Sequence, residues 1–270
     1  MEINEIAKKI LGERKTIKDP ENYKININTV AEMMNVFTQV MYPEYTDNES
    51  DVKNKIQTLN VLIRKILVNL TDNYEKISNC IIEQIPHLID CLDKDAVAIY
   101  RGDPSAKTKY EIIKCYPGFL ALIGYRVAHI LYKLDVPVLP RAITEYYHSI
   151  TGIDINPGAE IGEYFCIDHG TEIVIGETAV IGNHVRIYHG VTLGTKGFKT
   201  DEEGFTVRGI KRHPNIGNNV TIYANATILG GDTFIGNNCI IGANSFVTES
   251  VKENSVVKKC PLESKIEYRL

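Results

Sequence analysis

From residue 153 onward the chain places an aliphatic side chain at every sixth position. Isoleucine falls at 155, 161, 167 and 173. A two-residue slip restarts the count at Ile175, Ile181, Ile187 and Leu193. It resumes at Ile216, Ile222 and Ile228, and a one-residue slip leads to Ile235, Ile241 and Val247. Helices repeat near 3.6 residues and strands near 2, so a period of six belongs to neither. Glycine follows the aliphatic at 162, 176, 182, 194, 217, 236 and 242. Small or β-branched residues such as Ala159, Thr171, Val185 and Ala226 precede it by two. This is the hexapeptide pattern of a parallel β-helix, with one short strand and one corner per repeat and aliphatics turned inward. Three repeats close a triangular coil, which predicts roughly eighteen residues per turn.

The rhythm breaks between Leu193 and Ile216, where "GTKGFKTDEEGFTVRGIKRHP" is too polar and irregular to be coil. Such a segment must loop out of the column, and a long loop inside a compact array is usually functional.

The first half carries the helical period. Val52, Ile56, Leu59, Ile63, Ile66 and Leu70 form one apolar stripe. Glycine is nearly absent from the first hundred residues, and Pro104, Pro117, Pro137 and Pro140 then punctuate the chain. The pattern predicts helices near 29–42, 50–70, 73–92, 107–114, 117–134 and 138–150. Cap-type residues open "TDNESDVKNK", and Asp103-Pro104 reads as a helix start or turn. The predicted class is α+β: an all-α domain over 1–150, a β-helix over 151–257 with a loop at 194–215, and a C-terminal tail at 258–270.

Composition narrows the function. The 270 residues are 44% hydrophobic and 24% charged, with a net charge of −4. Nothing points to nucleic acid or an anionic membrane. No apolar run nears the roughly 18 residues of a bilayer span, and the N-terminus lacks a signal-peptide core, so a cytoplasmic location is expected. Six cysteines, at 80, 91, 115, 166, 239 and 260, form no CxxC pair. They read as reduced, mostly buried thiols rather than a disulfide or zinc framework.

Several short segments carry a resemblance. They are "RGDPSA" (101–106), "YPGF" (116–119), "YRVAHILY" (125–132), "GIDINPGAEIG" (152–162), "IDHGTEIVIGETAVIG" (167–182), "VTLGTKGF" (191–198), "KRHP" (211–214) and "ILGGDTFIG" (228–236). Over roughly residues 95 to 250 the chain resembles the serine acetyltransferases. The resemblance implies a left-handed β-helix. It also implies an enzyme of cysteine biosynthesis that moves acetyl from acetyl-CoA, as co-substrate, to the hydroxyl of L-serine. No metal and no tightly bound cofactor are expected.

Attack of a hydroxyl on a thioester needs a base, and histidine, with an ordinary pKa near 6.5, suits that task. His169 is the candidate. Asp154 lies fifteen residues earlier, close to one coil, which predicts that both share a face and that Asp154 fixes the imidazole tautomer. The resemblance assigns the same pair. It further implies Asp103 and Asp168 for the serine ammonium, and Arg212 and His213 for its carboxylate. Backbone N–H groups at Gly194 and Thr195 would face the oxyanion, although the family usually reads Gly-Gly there. Backbone at Ala224 and Ala243 matches positions lining the CoA groove between subunits. Lys258 and Lys259 read as a solvated basic pair.

A homo-oligomer is implied, a trimer or a dimer of trimers. Family members also hand a tail ending in isoleucine to O-acetylserine sulfhydrylase; this chain ends in Leu270, which counts against that partner. Rival readings are acetylation of a sugar, homoserine or amine, a hexapeptide scaffold without catalysis, and a zinc enzyme. For the last, His184 and His189 form HxxxxHG, similar to hexapeptide carbonic anhydrases, with His148 or His169 needed as a third ligand.

Overall fold

The structure is a computed structural model that describes residues 3–14, 23–43 and 47–258. Lys259 and the rest of the tail to Leu270 lie outside the described residues. The helical half consists of α1 (Ile3–Arg14), α2 (Ile27–Met41), α3 (Glu49–Leu67) and α4 (Tyr74–Glu83). It continues with α5 (Ile85–Gly102), α6 (Lys109–Cys115), α7 (Pro117–Lys133) and α8 (Leu139–Thr151).

Local chemistry explains most of these limits. Asn48 and Asp51 form a reciprocal capping box that starts α3. The stretch predicted as one helix over 73–92 is two, meeting at Gln84. Pro86 sits in the first turn of α5, where its missing N–H costs nothing, but it could not continue the ladder of α4. Helix α5 then runs on to Gly102, so Asp103 closes a helix as its C-cap and does not open one. Helix α1 was not anticipated by the pattern.

The second half is a left-handed parallel β-helix with three faces. The first face stacks Ile153–Ile155, Ile173–Ile175, Thr192–Gly194, Thr227–Leu229 and Phe246–Val247. The second stacks Glu160–Ile161, Val180–Ile181, Asn215–Ile216 and Phe234–Ile235. The third stacks Cys166–Asp168, Arg186–Tyr188, Thr221–Ile222, Ile240–Ile241 and Val256–Val257. Every aliphatic beat from Ile155 to Val247 is buried, none more than 8% exposed. Each fully buried side chain of this size contributes about 1.5–3 kcal/mol, so the six-residue count is a count of core positions.

The coil is longer than eighteen residues where the helices meet it. Ile153 pairs with Ile173, and Cys166 with Arg186, a step of twenty. The additional residues lie in corners such as His169–Glu172, where three of four residues have positive φ.

One apolar core runs from the helices into the column. Two polar clamps fix their contact. Tyr125 of α7 donates its hydroxyl to the Ala159 carbonyl at 2.7 Å. Arg126 donates to the carbonyls of Ile161 (2.7 Å) and Gly162 (2.6 Å) and to Asp95 of α5 (3.1 Å). Asp95, with no solvent exposure, also accepts the Phe165 N–H at 2.9 Å. These bonds hold α5 along the third face and deliver its C-terminal end to the column. No helix among the described residues is long and apolar enough to cross a membrane.

Candidate active site

The sequence-derived site residues fall into two groups on two corners of the column. One corner joins the third face to the first. Strand Cys166–Asp168 ends there in His169, and register stacks His189, Ala224 and Ala243 beneath it. His169 has φ 60°, whereas its three coil equivalents do not enter the left-handed region. A non-glycine residue held there costs on the order of 1 kcal/mol, and such strain gathers at functional positions. The imidazole is largely exposed, its Nε2 lies 3.7 Å from Asp168, and its ring meets that of His189 edge-on at 5.7 Å.

Asp103 reaches this corner from α5. A cleft of about 660 Å³ is lined by Asp103, Asp168, His169, Tyr116, Cys115 and Tyr188, among others. Tyr116 donates its hydroxyl to Asp103 at 2.6 Å, and the Ser105 N–H adds a second bond at 2.8 Å. These bonds hold the Asp103 carboxyl below the usual carboxylate range, while the Tyr116 phenol is pushed up to about 12 by the same contact. The cleft therefore presents anionic Asp103 at neutral pH. Sequence reasoning missed Tyr116; its place just before Pro117 in "YPGF" was the available signal.

Asp154 occupies the first face, not the face of Asp168. With a step of twenty, fifteen residues are three quarters of a coil, so the expected route to a shared face does not hold. The 169–172 corner does rest on the start of the strand that carries Asp154. The Glu172 N–H bonds the Gly152 carbonyl at 2.9 Å, and a Cβ on Gly170 would lie 2.6 Å from Ile153. The Asp154 carboxylate accepts from Arg141 at 3.3 Å, and no hydrogen bond joins it to His169 in this structure.

The second corner joins the first face to the second. Thr192–Gly194 ends there, the loop leaves through Thr195, and Arg212-His213 returns to it. Thr178 organises the return: its Oγ1 accepts from the N–H groups of Arg212 (2.9 Å) and His213 (3.0 Å). The His213 ring packs on Gly176, where a Cβ would lie 2.1 Å from it. Its Nδ1 accepts the Thr178 N–H at 3.0 Å, which leaves the proton of the neutral ring on Nε2. Arg212 pairs with Glu177 at 2.5 Å. The width of the first face separates this corner from His169, so one chain does not bring Arg212 and His213 to Asp103 and Asp168.

Burial, reinforced by Arg212, pushes the His213 pKa from 6.5 down to about 4. The unfolded histidine takes up a proton near 6.5, the folded one only near 4, so the unfolded state binds more protons in between. Stability due to neutral His213 is therefore present above pH 6.5 and lost as pH falls toward 4. Thermal melts across that window should show a steeper acid loss for the wild type than for His213→Gln. Parallel curves would contradict this.

The zinc arrangement is not assembled within one chain. His184 stacks on Tyr164 at 4.5 Å on the corner between the second and third faces, and strand Arg186–Tyr188 separates it from His189. Of the five described cysteines, Cys91, Cys166 and Cys239 are buried, and all five are free.

No family model matches the chain. Curated relatives do. A plasmid-encoded serine acetyltransferase of Synechococcus elongatus is 49% identical over 155 residues, covering 57% of this chain and 49% of that protein. The serine acetyltransferase of Helicobacter pylori is 46% identical over 127 residues, covering 47% of this chain and 68% of that one. The match spans about half the length of several of these relatives. Among solved structures, serine acetyltransferase 1 of Entamoeba histolytica with L-cysteine has a TM-score of 0.77 at 37% identity, covering 87% of both chains. The Neisseria gonorrhoeae enzyme with serine scores 0.60 at 29% identity, covering 89% of this chain and 97% of that one. The Brucella abortus enzyme with coenzyme A scores 0.63 at 29% identity, covering 86% and 80%.

Proposed function

This chain belongs to the serine acetyltransferase family, and on that footing we propose that it transfers acetyl from acetyl-CoA to the hydroxyl of L-serine, giving O-acetyl-L-serine and CoA. The observation that carries the reading is the convergence of His169, Asp103 and Asp168 on one cleft. A base beside paired carboxylates suits an acceptor bearing both a hydroxyl and an ammonium.

His169 takes the hydroxyl proton as the oxygen attacks the thioester carbonyl. The tetrahedral intermediate carries an oxyanion, which the N–H groups at Gly194 and Thr195 stabilise. Collapse breaks the carbon–sulfur bond, and the imidazolium returns its proton to the CoA thiolate. Asp154 orients the ring by exchanging its bond with Arg141 for one with the far imidazole nitrogen; catalytic hydrogen bonds commonly tighten only once substrate is bound. Asp103 and Asp168 hold the ammonium, and Arg212 and His213 hold the carboxylate as a cation beside a neutral N–H donor. CoA follows the corner below His169, past Ala224 and Ala243.

The separation of the two corners supports a homo-oligomer, a trimer at least, in which the Arg212 corner of one copy faces the His169 corner of another. Catalysis then belongs to the 151–257 column with its 194–215 loop. The 1–150 domain contributes Asp103, the 258–270 tail has no assigned role, and a cytoplasmic setting fits a biosynthetic enzyme.

A thiol-release assay with acetyl-CoA against serine, homoserine, other amino acids and sugars tests the reading, with the product identified by mass. Release confined to serine supports it. Equal or better turnover of a sugar or another amine would replace it.

A further inference from the structure

Arg186 lies on the third face, one coil below Cys166, and its guanidinium makes an unusual set of bonds. Nη1 donates to the Gly102 carbonyl at 2.9 Å and lies 3.4 Å from Asp168 Oδ2. Nη2 reaches the Ala98 carbonyl at 3.5 Å. Gly102 ends α5 and Ala98 lies one turn before it, at the helix C-terminus, where the carbonyls and the helix dipole favour a cation. The next residue is Asp103. A single guanidinium thus ties the end of the helix that presents Asp103 to the strand end that presents Asp168. These carboxylates lie on elements far apart in the chain.

The room for this contact comes from a missing side chain. A Cβ on Gly102 would fall 1.3 Å from Nη2 and 2.0 Å from Cζ of Arg186. Gly102 is helical and has no positive φ, so its backbone alone does not demand glycine. The open side of Gly102 is where the planar guanidinium lies. Lysine could not reproduce this, since it carries one nitrogen and no planar fork.

We propose that Arg186, seated on Gly102, is a positioning residue that sets the spacing of Asp103 and Asp168 and so determines affinity for the acceptor's ammonium group. This rests on the serine-acetylating reading above. Charge alone gives a different expectation. Arg186 competes with the substrate ammonium for Asp168, so on electrostatics alone its removal would tighten serine binding.

The test is steady-state kinetics with serine and acetyl-CoA varied separately, in the wild type, Arg186→Gln, Gly102→Ala, the double variant and Arg186→Lys, with thermal melts alongside. Gly102→Ala matters because alanine favours the helix while displacing the guanidinium. Each single variant should raise the serine KM about tenfold, the scale of one lost charge-assisted hydrogen bond, and leave the acetyl-CoA KM within about twofold. The double variant should be no worse than either single, since both remove one contact, and lysine should fall between. An unchanged or lowered serine KM, equal rises in both KM values, or additive losses would overturn the proposal. A wild type that turns over serine while its variants match it removes only this inference; a wild type that does not acetylate serine removes the parent reading and this with it.

Discussion

Replacing His169 with alanine should lower kcat for serine acetylation by about 10²–10⁴, the usual worth of a positioned general base. The hydroxyl is almost wholly protonated at neutral pH, and the carboxylates of the cleft, Asp103 and Asp168, are assigned to the substrate ammonium. Asp103 is held ionised by Tyr116 and is matched to a cation. His189 stands 5.7 Å away, ring to ring, one coil below. Binding should survive, because Ala224 and Ala243 contribute backbone and lie on lower coils of that corner. Calorimetry of acetyl-CoA binding beside the turnover assay separates the two effects. Turnover within tenfold of the wild type would remove His169 as the base.

The largest effect on stability should come from Arg126→Ala, at about 3–5 kcal/mol, the scale for removing one partner of a buried ion pair. Asp95 has no exposed surface, and after the substitution only the Phe165 N–H would remain to it. Burial pushes the Asp95 carboxyl up to about 6 even with Arg126 beside it. The Ile161 and Gly162 carbonyls would lose their donor as well. Urea unfolding of the two proteins provides the measurement. Replacing both partners with apolar residues of similar volume should cost far less, because no orphaned charge remains. A single-variant loss below about 1 kcal/mol would mean that water or another group already satisfies Asp95.

The column was legible because its core positions are spaced by the coil itself. Every six-residue beat names an inward side chain, and all are buried. The helices with an amphipathic stripe and a cap were legible for the same kind of reason: Asn48 and Asp51 announce α3 in three residues. What failed was information held in contacts between distant segments. Asp103 resembles a helix start beside proline, yet it closes α5, because that helix continues through Ile99 against the column. The coil length slipped from eighteen to twenty because corner residues such as Glu172 leave no hydrophobic trace. Arg186 carried no signal of its own, and for Tyr116 the motif "YPGF" marked the place but not the role, since their meaning lies in reaching Gly102, Asp168 and Asp103 across the fold. The division of the site between two corners was equally silent. Motifs name residues without saying which edge of the column holds them.

That division is the claim on which the catalytic account depends. It is tested by combining two impaired chains, His169→Ala and Arg212→Ala, by co-expression and measuring turnover at low serine. A site completed by a neighbouring copy yields about one wild-type pairing in four under random assembly, so activity should return to about a quarter of the wild-type value. Mixed assemblies no more active than the average of their two parents would place the whole site within one chain and contradict the account.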